Sequence, residues 1–224
     1  MKAKTLRLLA GTAVPLILTG SVEAGFLGIS TTSKPNDFGL LVVNVYAEFD
    51  RPGEDALFVV GGSALTPMLI EVIGGTFYNH TFGSDRPPGT ALINAFPILA
   101  FDSFVTIGVK SVGVNGQPAD NLRFAPGFPG VSGTSIDTDA SSWGAAPGSP
   151  QTDPFNPDYF AGDGRVLLGQ FSTANGTAIQ GTMAIHAASN GVTRQHAVSF
   201  YHVPGPGALW LLGATGLLGT RRRR

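Results

Sequence analysis

A chain of 224 residues with 13% charged side chains, 31 glycines and 16 prolines is rich in turns and poor in helix formers. It holds no cysteine, which excludes a disulfide framework and any thiolate metal site. The net charge of −1 hides an asymmetry: between Gly25 and His202 seven basic residues face fourteen acidic ones, a net of −7. With its one Lys/Arg cluster at the extreme C-terminus, such a chain argues against nucleic acid as a partner, because phosphate binding needs a basic patch.

The N-terminus reads as an address. Lys2, Lys4 and Arg7 precede an apolar run from Leu8 to Leu18, and Val22-Glu23-Ala24 puts small residues three and one before a cut ahead of Gly25. This layout predicts a cleaved signal peptide over residues 1–24. A membrane-spanning helix needs about 20 apolar residues, so an uncleaved anchor or a buried N-terminal helix is the weaker reading.

From Gly25 onward the pattern is that of strands. Leu41, Val43, Val45, Ala47 and Phe49 share one face of a period-two run, with Asn44 and Glu48 on the other. Further runs are Ala56 to Val60, Met68 to Ile73, Thr76 to Asn79, Phe104 to Val114, Val166 to Phe171, Ile179 to Ala187 and Gln195 to His202. Turn signals separate them, among them Gly61-Gly62, Gly74-Gly75 and the pairs Asn115-Gly116, Asn175-Gly176 and Asn190-Gly191. Asn-Gly between two strand-like runs is a strong hairpin signal, because both residues accept positive φ. About eight antiparallel strands with no sustained helical period predict an all-β body over 25–202, a β-sandwich of jelly-roll-like or immunoglobulin-like type.

Phe124 to Asp163 departs from that pattern. Six prolines spread through Gly, Ser and Asp predict a long loop at about 124–163. Trp143, Phe155 and Tyr159 on this loop are candidates for stacking on sugar rings, with pinning of the loop to the sandwich as the default. Asp153, Asn156, Asp158 and Asp163 offer oxygen ligands to calcium, although their spacing lacks the Asp-x-Asp-x-Asp-Gly regularity, and solvated loop acids are the default there.

The last segment has three physically different parts. Val203, Pro204, Gly205 and Pro206 form a stretch that can hold neither helix nor ladder. An apolar segment follows, with Trp210, Leu211, Leu212, Leu217 and Leu218, and it predicts a short hydrophobic helix that is marginal as a permanent anchor. Arg221, Arg222, Arg223 and Arg224 then resist translocation and keep the end inside.

These three parts in this order resemble the PEP-CTERM sorting signal. Pro204 and Pro206 match the two prolines of its motif, while Gly205 stands where the family carries glutamate, giving a Pro-Gly-Pro variant. The resemblance implies an exosortase-like enzyme as partner, transient insertion of the tail in the inner membrane, and a cell-surface or extracellular destination. A plain tail anchor without a sorting enzyme is the alternative. The strand Val45 to Phe49 and the run Gly169 to Thr173 are similar to bodies that accompany such tails, and imply no activity.

No Gly-x-Ser-x-Gly elbow, phosphate-binding Gly-x-x-x-x-Gly-Lys loop or His-Glu-x-x-His occurs in the sequence. The expectation is therefore an exported, non-enzymatic protein of the cell envelope or extracellular matrix, with no cofactor beyond the calcium alternative. The competing readings are a carbohydrate-binding sandwich acting on exopolysaccharide and, behind it, a polysaccharide hydrolase.

Overall fold

The computed structural model describes residues 25–53, 56–113, 120–159, 162–189 and 191–203. The expected signal peptide, with Val22 and Ala24, and the expected tail from Pro204 to Arg224 lie outside the described residues, as do Asn115-Gly116 and Asn190. Among the described residues the strands are β1 (Phe26–Pro35), β2 (Leu40–Phe49), β3 (Ala56–Gly61), β4 (Met68–Ile73), β5 (Phe104–Val105), β6 (Arg123–Phe124), β7 (Ser135–Thr138), β8 (Ser142–Gly144), β9 (Arg165–Ala174), β10 (Ala178–Ser189) and β11 (Val192–His202). A six-residue helix, α1 (Thr90–Ala95), and 3-10 turns at Pro97–Phe101 and Pro150–Thr152 complete them. Among the described residues no helix is long and apolar enough to cross a membrane.

The chain is all-β and sandwich-like. One antiparallel sheet has the order β1-β2-β9-β5, and the other is built on β10. β10 pairs along its length with β11 on one side; on the other it meets β3 over Ala184–Ala188 and β4 over Ala178–Thr182. β3 and β4 thus behave as one strand interrupted at residues 62–67. Their neighbours β8 and β7 are interrupted at the same level, pairing Gly61 with Ser142 and Met68 with Thr138. Glycine at 62 is required there, because a Cβ would collide with the carbonyl oxygen of Thr138.

Both sheets bury one face in a single apolar core. Leu41, Val43, Val45, Ala47 and Phe49 of β2 all reach it, as their alternation predicts, and meet Met68, Ile70, Val72, Ile179, Met183 and Ile185 from the other sheet. At roughly 1.5–3 kcal/mol for each large apolar side chain buried, this layer dominates the favourable energy of the fold. β1 and β11 close one side: Phe26 lies 4.7 Å from the His196 ring, and Thr31 Oγ1 lies 3.4 Å from His202 Nδ1.

The structure redraws several expected boundaries. The run Thr76 to Asn79 is not a strand; Phe77 N donates to Gly133 O and Tyr78 N to Ser172 O, so the chain crosses between partners without following a ladder. Of the expected strand Phe104 to Val114, the described residues 104–113 are regular only in β5, because Gly108 and Gly113, at φ 73° and 81°, turn the chain away. The segment 124–163 is no uninterrupted loop: it supplies β7, β8 and the end of β6, and with Leu122 just before it puts Val131, Ile136, Trp143 and Ala145 into the core. β1 carries Ser30, Thr31, Thr32 and Ser33 in succession, two half-buried and two exposed, which gives no apolar alternation to read.

Candidate functional site

Antiparallel register places Thr32 of β1 opposite Asn44 of β2, and Asn44 opposite Gln170 of β9. Residues directly opposite project to the same face, and since Val43 and Val45 point into the core, this polar row lies on the outer face of the sheet. It floors an open groove of roughly 650 Å³. One wall is the turn between β1 and β2, carrying Phe38; the other is the 3-10 turn Pro97–Phe101 with Phe101, whose ring centroid is 5.7 Å from that of Phe38.

Local chemistry fixes both walls. Asn36 Oδ1 accepts hydrogen bonds from Phe38 N and Leu40 N, both at 3.0 Å, and Gly39 adopts φ 75°, a conformation open to glycine; together they hold Phe38 at the tip of the turn with 56% of its surface exposed. On the other side Gln170 Nε2 donates to Ala100 O and Asp102 O, each at 2.9 Å, tying the 3-10 turn to β9. Gln170 is buried. Asn44 Oδ1, on the floor, has no hydrogen-bond partner among the described residues.

Lys34 and Lys110 both line this groove, and they are the two lysines of the sequence between Gly25 and His202. Neither forms an ion pair among the described residues, whereas Arg51, Arg86 and Arg165 lie beside Asp50, Asp120 and Asp163. In a body of net −7 the free ammonium groups are therefore gathered on one surface.

The sequence candidates on 124–163 lie elsewhere. Trp143 is 1% exposed, its indole N–H donating to Thr106 O at 3.0 Å and its ring meeting Phe128 edge-on. Tyr159 is 4% exposed and Phe155 packs against the core. These three rings do not form an exposed platform: Trp143 lies in the core, Phe155 packs against it, and Tyr159 is buried outside that cluster.

Of the four residues considered for calcium, two serve the nearby backbone and a third holds an arginine. Asp153 Oδ1 accepts from Phe155 N at 2.9 Å and Asn156 Oδ1 from Asp158 N at 3.0 Å, two side-chain turns in succession. Asp163 accepts from Arg165 Nε at 2.9 Å, and this hydrogen bond holds its carboxyl below the usual aspartate range. Among the described residues no three His, Cys, Asp or Glu side chains gather as a metal set.

Two further titratable positions are set by packing. Asp102 is fully buried, which pushes its carboxyl up, and its Oδ1 accepts from His80 N at 2.7 Å. Its other oxygen sits against Gly83, where a Cβ would collide with it. His196 and His202, in the seam between β1 and β11, are both lowered by desolvation, with Arg194 adding to the effect at His196.

The groove was missed because it depends on register between residues 138 apart in the chain, Thr32 and Gln170. Two signals for it do stand in the sequence: the pair of lysines in an acidic body, and a phenylalanine inside the turn Asn36-Asp37-Phe38-Gly39. No protein-family model matches the chain, and comparison with curated proteins and with solved structures gave no significant match.

Proposed function

We propose that this chain is an exported, non-enzymatic protein of the cell envelope or extracellular matrix, delivered by its N-terminal signal and sorted through a PEP-CTERM-like tail. An exosortase-like enzyme would read Val203, Pro204, Gly205 and Pro206 while Trp210 to Leu218 occupy the inner membrane and the four arginines stay behind. The observation that carries the reading is the pair of addresses in the sequence, one at each end. In keeping with it, the strands among the described residues run from Phe26 to His202, inside the expected body 25–202. Also in its favour, two polar side chains of the long segment serve structure: Asp153 Oδ1 accepts from Phe155 N at 2.9 Å and Asn156 Oδ1 from Asp158 N at 3.0 Å.

The finer fold assignment belongs to the same proposal: a jelly-roll-like or immunoglobulin-like sandwich, favoured by two antiparallel sheets facing each other over one core.

An epitope inserted between His202 and Val203, ahead of the motif, tests the reading in a bacterium that carries an exosortase. The expected product starts at Gly25 and is recovered from the membrane, the cell surface or the medium. Recovery of the whole uncut polypeptide, soluble in the cytoplasm, would overturn it.

A further inference from the structure

We propose that the groove on the outer face of the β1-β2-β9-β5 sheet binds an acidic polysaccharide, a chain of uronate sugars. Lys34 and Lys110 meet its carboxylates, Phe38 packs against a pyranose face, and the row Thr32, Asn44 and Gln170 lies beneath its hydroxyl groups. This goes beyond the export reading and stands without it, because it rests on the folded body alone.

The ligand class follows from the lining, in which two lysines outnumber the one carboxylate, Asp37. Ammonium groups are compact point charges that pair with anions from several directions, and both lysines of an otherwise acidic body stand here unpaired among the described residues. An exposed aromatic ring beside carboxamides and a hydroxyl suits a ligand with an apolar C–H face and many hydroxyl groups. An extended acidic peptide fits less well, since strand addition needs a free sheet edge, while β2 and β9 of this floor pair on both sides and β1 alone of the three keeps an open edge. A small phosphate or sulfate would leave Phe38 without a role.

The walls are also prepared in advance. Asn36 holds the turn that presents Phe38, and Gln170 holds the 3-10 turn that carries Phe101. Ordering a ligand against fixed walls costs less than ordering both partners.

The test is calorimetric titration of the full chain in mild detergent with a short oligogalacturonate, against a neutral cello-oligosaccharide of the same length. Uronate binding that weakens with added salt is expected, with the neutral oligomer bound about tenfold more weakly or not at all. Lys34→Gln combined with Lys110→Gln should weaken uronate binding about tenfold, and replacing both lysines by arginine should restore most of it. Phe38→Ala should weaken binding several-fold with both lysines present, and it tests the site even if the lysine variant fails to fold. Equal binding of the two oligomers overturns the proposal, and so does uronate binding unchanged by the glutamine pair or by Phe38→Ala. Tighter binding to vesicles of an anionic phospholipid than to the oligomer would assign the groove to a lipid headgroup and equally overturn it.

Discussion

Two parts of this protein carry aromatic side chains on irregular backbone, and they use them in opposite ways. Between residues 120 and 159 the rings go inward: Trp143 is 1% exposed, and Phe124 and Phe128 stack with centroids 4.6 Å apart against the core. At the groove Phe38 stands at a turn tip with 56% of its surface in solvent. The difference lies in what surrounds the backbone. The long segment is laced into the sheet built on β10 through β6, β7 and β8, so side chains such as Ile136 and Trp143 fall into the core, and Trp143 finds the Thr106 carbonyl for its N–H. The turn between β1 and β2 supplies no strand to either sheet: Asn36 Oδ1 accepts from Phe38 N and Leu40 N, Gly39 O accepts from Asn175 N, and the Phe38 ring meets that of Phe101 in the 3-10 turn, outside the core cluster. Loop aromatics signal a binding surface when local bonds hold them outside, and a core when strand pairing draws them in.

Trp143→Ala gives the largest effect that can break this comparison. Removing a fully buried ring together with its hydrogen bond is expected to cost about 3–5 kcal/mol, read from urea unfolding. Phe38→Ala in the same assay should change stability by less than about 0.5 kcal/mol, as at other exposed positions. Equal losses at the two sites would show that Phe38 belongs to the core and would remove the distinction.

Asp102 sharpens the same contrast, because it is a polar group that the packing has drawn fully inside. Asp102→Ala takes the acceptor away from His80 N and leaves that donor under the turn, an expected loss of about 1–3 kcal/mol. The pH dependence has a definite sign. Burial raises the Asp102 carboxyl in the folded state, so its contribution is fully present below the ordinary aspartate pKa and declines as pH rises through the raised value. The deficit of the variant should therefore be larger at acid pH than at neutrality, when chemical denaturation is compared at the two conditions. A deficit that grows toward neutral pH would mean that Asp102 is stabilised as a carboxylate.

Much of the architecture is legible in the residues. The alternation from Leu41 to Phe49 names the core face of β2 side chain by side chain, and Met68–Ile73 coincides with β4. Asn175-Gly176 lies between β9 and β10, with Gly176 at φ 95°. Where the sequence is silent the reasons are specific. β1 is an edge strand of Ser, Thr and Gly that closes the sandwich through Phe26 and Thr31, a fact set by the position of β11 and not by local pattern. α1 buries no residue, so it has no apolar stripe to detect. The strands β6, β7 and β8 are two to four residues long, too short to show a period, and exist because β3 and β4 offer them edges. The floor of the groove joins three strands through register alone, so no window along the chain contains it.

The seam between β1 and β11 gives the smallest effect and the most local one. His196 lies against Phe26 and His202 beside Thr31, and burial lowers both rings below the ordinary histidine pKa. A base whose folded pKa is depressed binds its proton more readily in the unfolded chain. Its contribution to stability is therefore complete above about pH 6.5 and is lost as pH falls through that value toward the folded one. Both rings keep partial contact with solvent, so the combined change should stay below about 1 kcal/mol. The slope of Asp102 runs the other way over acid pH, which is why the measurement must be a difference. Stability of the parent chain minus that of His196→Gln with His202→Gln should fall as pH goes from 7 to 5, and hydrogen exchange in β1 should rise over the same range. A difference that stays flat, with β1 amides equally protected at both pH values, would mean that the two rings accept protons without loosening the seam. The closure of the sandwich would then rest on Phe26 and Val198 packing against the core.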